Sequence, residues 1–160
     1  MGKMSEFFKN RPNDFFSNLK VVTCFIEYKD TILFLQRSKS LIAPLKWAIP
    51  GGKVEKEESN FAALKREIFE ELALKIDNRE KISLINNVFV RHAFADYELI
   101  LYRWITHEKP AITLNPNEHV NFIWSPFLKI LNLDLIEGQL EAFKLVYEND
   151  YSFIRDYGRQ

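Results

Sequence analysis

The chain has 160 residues and a single cysteine, Cys24, so no internal disulfide is possible and stability must come from buried apolar surface. Cys24 sits in the apolar run Val21–Ile26 and reads as a buried core thiol in a reducing compartment rather than as a nucleophile. No stretch approaches the roughly 18 consecutive apolar residues of a membrane span. The N-terminal segment also lacks the continuous apolar core of a signal peptide, so a cytoplasmic protein without a membrane partner is expected. Charge of one sign is lacking too. Lys+Arg and Asp+Glu stand at 22 each, which leaves no basic field to hold a long nucleic acid, whereas a small charged ligand can be held by local groups. With only five glycines and six prolines there is no flexible or Pro-rich linker, and no internal repeat marks a second domain. The expectation is one domain over residues 19–160, preceded by residues 1–18 as an N-terminal arm or short helix packed on it.

What is abundant is core material. The hydrophobic share is 47% and includes 14 phenylalanines, enough for a packed aromatic interior and too much for a disordered chain. Two apolar runs, 21–28 and 31–37, flank Lys29-Asp30 at hairpin spacing and read as strands too apolar for a sheet edge. A short strand follows around Trp47 and is expected to stop at Pro50 and the pair Gly51-Gly52. From Ser59, a candidate N-cap, to about Leu74 the period changes: Phe61, Leu64, Ile68 and Leu72 recur at three- and four-residue spacing, the pattern of an amphipathic helix. Three further strand-like runs, 83–94, 97–106 and 119–124, precede a last helix over about 138–149 with Leu140, Phe143 and Tyr147 on one face. This order suggests an α/β fold with a mixed sheet covered by helices.

The chemistry concentrates on the first helix. Glu67, Glu70 and Glu71 stand at i, i+3 and i+4, so they share one side, away from the Leu64/Ile68/Leu72 stripe. Carboxylates this close repel one another, and bound cations are the usual remedy. Oxygen ligands favour Mg²⁺ or Mn²⁺, and three histidines and one cysteine offer no clustered zinc set. Arg66 adjoins the patch and Glu58 lies near the helix start, so a pair between them would brace the preceding loop. Gly51 and Gly52 let the backbone approach a metal or a phosphate, with the Gly51 carbonyl free to become a ligand. An acidic helix face alone is usually just solvated. Here the register of Gly52, Glu58 and Arg66 with the glutamates argues for a site.

Gly52, five residues, Glu58, seven residues, Arg66-Glu67-Ile68, one residue and Glu70-Glu71 resemble the Nudix box of the Nudix hydrolase superfamily. Ala73 departs from it, standing where the box usually has glycine; that position ends the helix, so a changed C-cap with a retained site is expected. Gln36-Arg37-Ser38, the approach through Trp47 to Gly52, and Glu118-His119 with Trp124 are similar to MutT-like members. The resemblance implies an α/β/α sandwich with a mixed sheet. It also implies a Mg²⁺-dependent hydrolase, with Mn²⁺ as a substitute, that opens a phosphoanhydride bond by attack of water on phosphorus. Glu70, Glu71 and the Gly51 carbonyl would be metal ligands, Glu67 a ligand or the base, and Glu118 an additional ligand or base. Glu58, Arg66, Glu67 and Glu70 would form the catalytic set, while Gly52 and Arg37 would approach the substrate.

Several alternatives stay open at this point. Arg37 could equally make a surface ion pair. His92 and His119 read as structural, and Trp47, Trp104 and Trp124 as core. Asn115, Asn117, Asn121 and Asn132 include possible base readers, with nothing to select among them. The expected substrate is a small nucleotide, first a nucleoside triphosphate, ordinary or oxidised, and second a nucleotide sugar such as ADP-ribose or a GDP-sugar. A non-catalytic nucleotide sensor is the alternative of another class. The oligomeric state is left between monomer and homodimer.

Overall fold

Strand alternation explains how the sheet acquires two buried faces. In the computed structural model, which describes residues 4–77 and 81–148, the hairpin strands β2 (Lys20–Tyr28) and β3 (Thr31–Arg37) run through the centre of the sheet. Successive side chains point to opposite faces. Val22, Cys24, Ile26, Leu33 and Leu35 therefore enter one core, and Phe25, Ile32 and Phe34 enter the other. The first core is covered by helix α1 (Asn60–Leu72) through Leu64, Ile68 and Leu72. The second is covered by α2 (Gln139–Tyr147) through Phe143 and Tyr147. The layers are α/β/α.

The remaining strands are β1 (Glu6–Phe8), β4 (Trp47–Ala48), β5 (Gly51–Lys53), β6 (Ile82–Arg91), β7 (Asp96–Thr106) and β8 (His119–Pro126). Among the described residues the main order is β1-β6-β7-β2-β3-β4, with β5 on β2 and β8 on β3. β2 and β7 pair in parallel and the other pairs are antiparallel, which makes the sheet mixed. Cys24 is fully buried and burial pushes its thiol pKa up, as a core thiol requires. No helix among the described residues is long and apolar enough to cross a membrane.

Several boundaries differ from the sequence expectation. Within the N-terminal segment, left between an arm and a short helix, Glu6–Phe8 is a short strand paired with β6. The apolar approach to the glycines is two strands. Pro50, with no N–H to donate, interrupts the ladder while its carbonyl accepts the Cys24 N–H at 3.0 Å, and the glycines themselves form β5. α1 stops at Leu72 rather than near Leu74. α2 ends at Tyr147, and the expected terminus at Asn149 lies outside the described residues. A 3₁₀ helix over Phe127–Asn132, whose buried Phe127 and Ile130 are three residues apart, was not expected.

Candidate active site

The register of α1 is set at its first turn. Ser59 is extended and its Oγ accepts the Ala62 N–H at 3.1 Å, so the helix begins at Asn60. That start turns Leu64, Ile68 and Leu72 into the core and leaves Glu67, Glu70 and Glu71 beside β5.

Arg66 ties these groups together. Its Nε and Nη2 donate to the two oxygens of Glu58, each at 2.9 Å, a bidentate geometry. Nη2 also donates to the Lys53 carbonyl at 2.9 Å, and Nη1 to Glu67 Oε1 at 2.8 Å and to Glu70 Oε2 at 3.3 Å. The expected brace between loop and helix is therefore present. The guanidinium holds the Glu58 carboxyl below its ordinary pKa, helped by the Glu55 N–H.

Glu67 lies against Gly52. A Cβ at position 52 would stand 2.2 Å from Glu67 Cδ, so glycine is what leaves room for this carboxylate. Burial pushes the Glu67 pKa up, Arg66 opposes that, and the neighbouring Glu70 and Glu118 add to the rise. Glu71 is only 4% exposed. Its Oε2 accepts the Gly51 N–H and its Oε1 meets His119 Nε2, both at 2.9 Å. Burial raises its pKa, and the His119 and Gly51 contacts work against that rise.

The loop before β8 completes the cluster by docking on the end of α1. Thr113 and Asn115 donate their N–H groups to the Leu72 and Glu71 carbonyls at 3.1 and 3.0 Å, which satisfies groups the helix end would leave bare. Asn115 O accepts the Glu118 and His119 N–H groups, and Asn115 Nδ2 donates to Glu118 Oε1 at 3.0 Å. Ligand atoms of Glu71, Glu118 and His119 consequently lie within 4.8 Å of one another. At the helix terminus, the expected change of C-cap is absent. Ala73 takes the left-handed conformation at φ 55°, and its N–H donates to Phe69 O at 2.9 Å.

The other candidates separate. Arg37 does not reach the carboxylates: its Nε donates to the Ile42 carbonyl at 2.8 Å, at a bulge where residue 37 pairs with His119. His92 meets Glu137 at 3.2 Å. The three tryptophans pack against the two cores. Asn115 organises the loop, and Asn121 Oδ1 accepts the Phe122 N–H. His119 is the residue that sequence reasoning set aside; the available signal was its position directly after Glu118. A cavity of ≈ 190 Å³ lined by Val21, Thr23, Tyr97, Leu99, Glu137 and Ala142 begins at Thr23, the β2 residue paired with Gly51.

The site's donor set fits a hard divalent cation. Glu58, Glu67 and Glu70 converge on Arg66, Glu71 and Glu118 lie together beside His119, and both Glu67 and Glu71 have pKa values raised first by burial.

A sheet sandwiched by helices with a carboxylate helix against a glycine strand defines the class, and comparison with known proteins agrees. The NUDIX domain profile matches residues 18–146, and the chain belongs to that family. Among solved structures, the MutT protein of Methanosarcina mazei Go1 superposes with a TM-score of 0.69 at 23% identity, covering 83% of this chain and 96% of that one. The NUDIX domain of Shewanella oneidensis NrtR, complexed with ADP ribose, gives 0.70 at 19%, covering 88% and 93%. A bifunctional NMN adenylyltransferase/ADP ribose pyrophosphatase from Francisella tularensis, with AMP and a manganese ion, gives 0.65 at 20%, covering 85% of this chain and 43% of that one. At these identities the likeness is one of fold.

Proposed function

We propose that this protein is a divalent-metal-dependent pyrophosphohydrolase acting on small nucleoside-diphosphate-linked substrates, first a nucleoside triphosphate. The observation that carries the reading is a group of five carboxylates, Glu58, Glu67 and Glu70 on Arg66 and Glu71 with Glu118 beside them, in which Glu71 is nearly sealed from solvent. Crowding of negative charge about a buried carboxylate is stable when a cation answers it.

Glu70, Glu71 and Glu118, with the Gly51 carbonyl, would hold Mg²⁺, with Mn²⁺ as a substitute. The bound ion supplies a Lewis acid that neutralises charge on the phosphate oxygens. Glu67 serves as the base. Its raised pKa makes it a better proton acceptor than an exposed glutamate, and Arg66 occupies Oε1, which leaves Oε2 to take the proton from the attacking water. Glu58 and Arg66 keep the loop and helix at fixed distance. The cavity at Thr23 receives the ring end of the substrate, because it is partly apolar, of ring size and adjacent to Gly51. Arg37 contacts a phosphate only if its bond to Ile42 is released.

A nucleotide sugar is the second reading, favoured by the likeness to a fold that holds ADP ribose in NrtR. The retained carboxylates speak against a pure sensor. The test is release of phosphate or pyrophosphate from 8-oxo-dGTP, ordinary triphosphates, ADP-ribose and GDP-mannose, with Mg²⁺ and then with chelator. Metal-dependent cleavage of at least one is expected, and its loss in Glu71→Gln. Nucleotide binding without any cleavage would replace the hydrolase reading with the sensor.

A further inference from the structure

Glu71 is the most enclosed carboxylate of the cluster, and each of its oxygens already meets a protein nitrogen: the Gly51 N–H at Oε2 and His119 Nε2 at Oε1. We propose that His119 is a positioning residue. Its Nε2–H fixes the Glu71 carboxylate in one orientation so that the remaining lone pairs are presented to the cation, an inference that rests on the metal-hydrolase reading above.

His119 is itself 5% exposed and opens β8. Its ring and its target are mounted on one unit. The His119 N–H donates to Asn115 O, and the Asn115 N–H donates to Glu71 O, both at 3.0 Å. A bare imidazole nitrogen facing a carboxylate oxygen at 2.9 Å would set two acceptors against each other, so the proton belongs on Nε2. Nδ1 is buried and has no partner among the described residues, so no acceptor stands there to draw the proton away. A ring that merely filled space would need no donor aimed at the one carboxylate that also bonds the glycine strand. Outer partners that orient ligands in this way commonly govern metal affinity by about ten- to a hundredfold.

Mn²⁺ affinity of the nucleotide-free protein, read by EPR titration, tests the assignment beside the thermal midpoint in chelator. His119→Phe keeps a ring and removes the donor, so Mn²⁺ binding should weaken by about ten- to a hundredfold in a variant that still folds in chelator, at a midpoint lowered by the lost bond to Glu71. His119→Gln, which restores an N–H donor, should recover most of the loss. Unchanged Mn²⁺ affinity in folded His119→Phe overturns the proposal. Should that variant not fold, ¹⁵N-histidine NMR of the wild-type protein decides. The Nε2–H tautomer is expected for His119, with nitrogen resonances that shift when Mg²⁺ is added and fail to shift in Glu71→Gln. An Nδ1–H tautomer, or no response to Mg²⁺ in a protein that binds it, overturns the role of His119 alone. Absence of saturable Mn²⁺ binding by the wild type removes the metal-hydrolase reading itself, and this inference with it.

Discussion

Alanine at Gly52 should empty the site while sparing the fold, whereas alanine at Gly51 should damage the fold itself. At position 52 the new Cβ would stand 2.2 Å from Glu67 Cδ and 2.3 and 2.4 Å from its oxygens, against about 3.5 Å for a relaxed carbon contact. The obstruction is the end of a flexible side chain, so Glu67 can swing away without any backbone movement. The swing breaks the 2.8 Å bond to Arg66, a loss of about 1 kcal/mol that relief of carboxylate crowding partly offsets. Net destabilisation should therefore stay within about 1 kcal/mol, while turnover falls by about 10²- to 10⁴-fold if Glu67 is the base. At position 51 the Cβ would meet Val22 O at 2.2 Å and Thr23 Cα at 2.8 Å. Both are backbone atoms of β2, held on its other side by β7, and cannot rotate aside. Overpacking of that kind costs about 1–3 kcal/mol or more.

Urea unfolding in chelator, followed by tryptophan fluorescence, gives the two stabilities. Phosphate release at saturating substrate gives the two activities. Gly52→Ala should unfold near the wild-type midpoint with little turnover, and Gly51→Ala at a clearly lower midpoint. Wild-type turnover in Gly52→Ala would refute the placing of Glu67 in the chemistry. Equal destabilisation of the two variants would refute the claim that the Glu67 side chain yields.

Ala73→Gly should stabilise the protein. A left-handed alanine at φ 55° is strained by about 1–2 kcal/mol, and the extra freedom of unfolded glycine returns about 0.4–1 kcal/mol, so the midpoint should rise by a few degrees with turnover unchanged. A lower midpoint would mean that the cap is not strained. A third prediction concerns pH. Burial raises Glu67 and Glu71 above their ordinary value of 4.5, so the folded state binds more protons than the unfolded state just above that pH. Their contribution to the metal-free protein is full below 4.5 and is lost as pH rises through the raised folded values. Mg²⁺ should therefore lift the thermal midpoint more at about pH 8 than at about pH 5, where protons compete for the same oxygens; equal increments would contradict the cause given.

The parts legible in the sequence are those fixed by local period or fixed spacing. Alternation along β2 and β3 and the three-four spacing on α1 each act within a few residues, so the two-faced sheet and the glutamate-bearing helix could be read directly. The Arg66–Glu58 brace was legible for a similar reason: both residues lie within two turns of one helix start, close enough in the chain for the fork to meet the carboxylate. What could not be read depends on distant segments. β1 is three residues long, too short for any period, and exists because β6 offers it an edge. The division at Pro50 follows from Cys24 coming to the Pro50 carbonyl, 26 positions away in the chain.

His119 shows the same limit in the site. Its spacing to Glu71 carries no helical or strand period, and a lone strand histidine is ordinarily structural. Its partner is decided by where Asn115 docks, and Asn115 docks where α1 ends, at Leu72, with carbonyls to satisfy. Ala73 belongs to that argument as well. The family spacing marked it as a departure, yet the left-handed cap survives because the chain must turn at the end of α1 for Thr113 and Asn115 to reach the Leu72 and Glu71 carbonyls. The strain tolerated at Ala73 and the delivery of Glu118 and His119 to Glu71 are thus two results of terminating one helix at one residue.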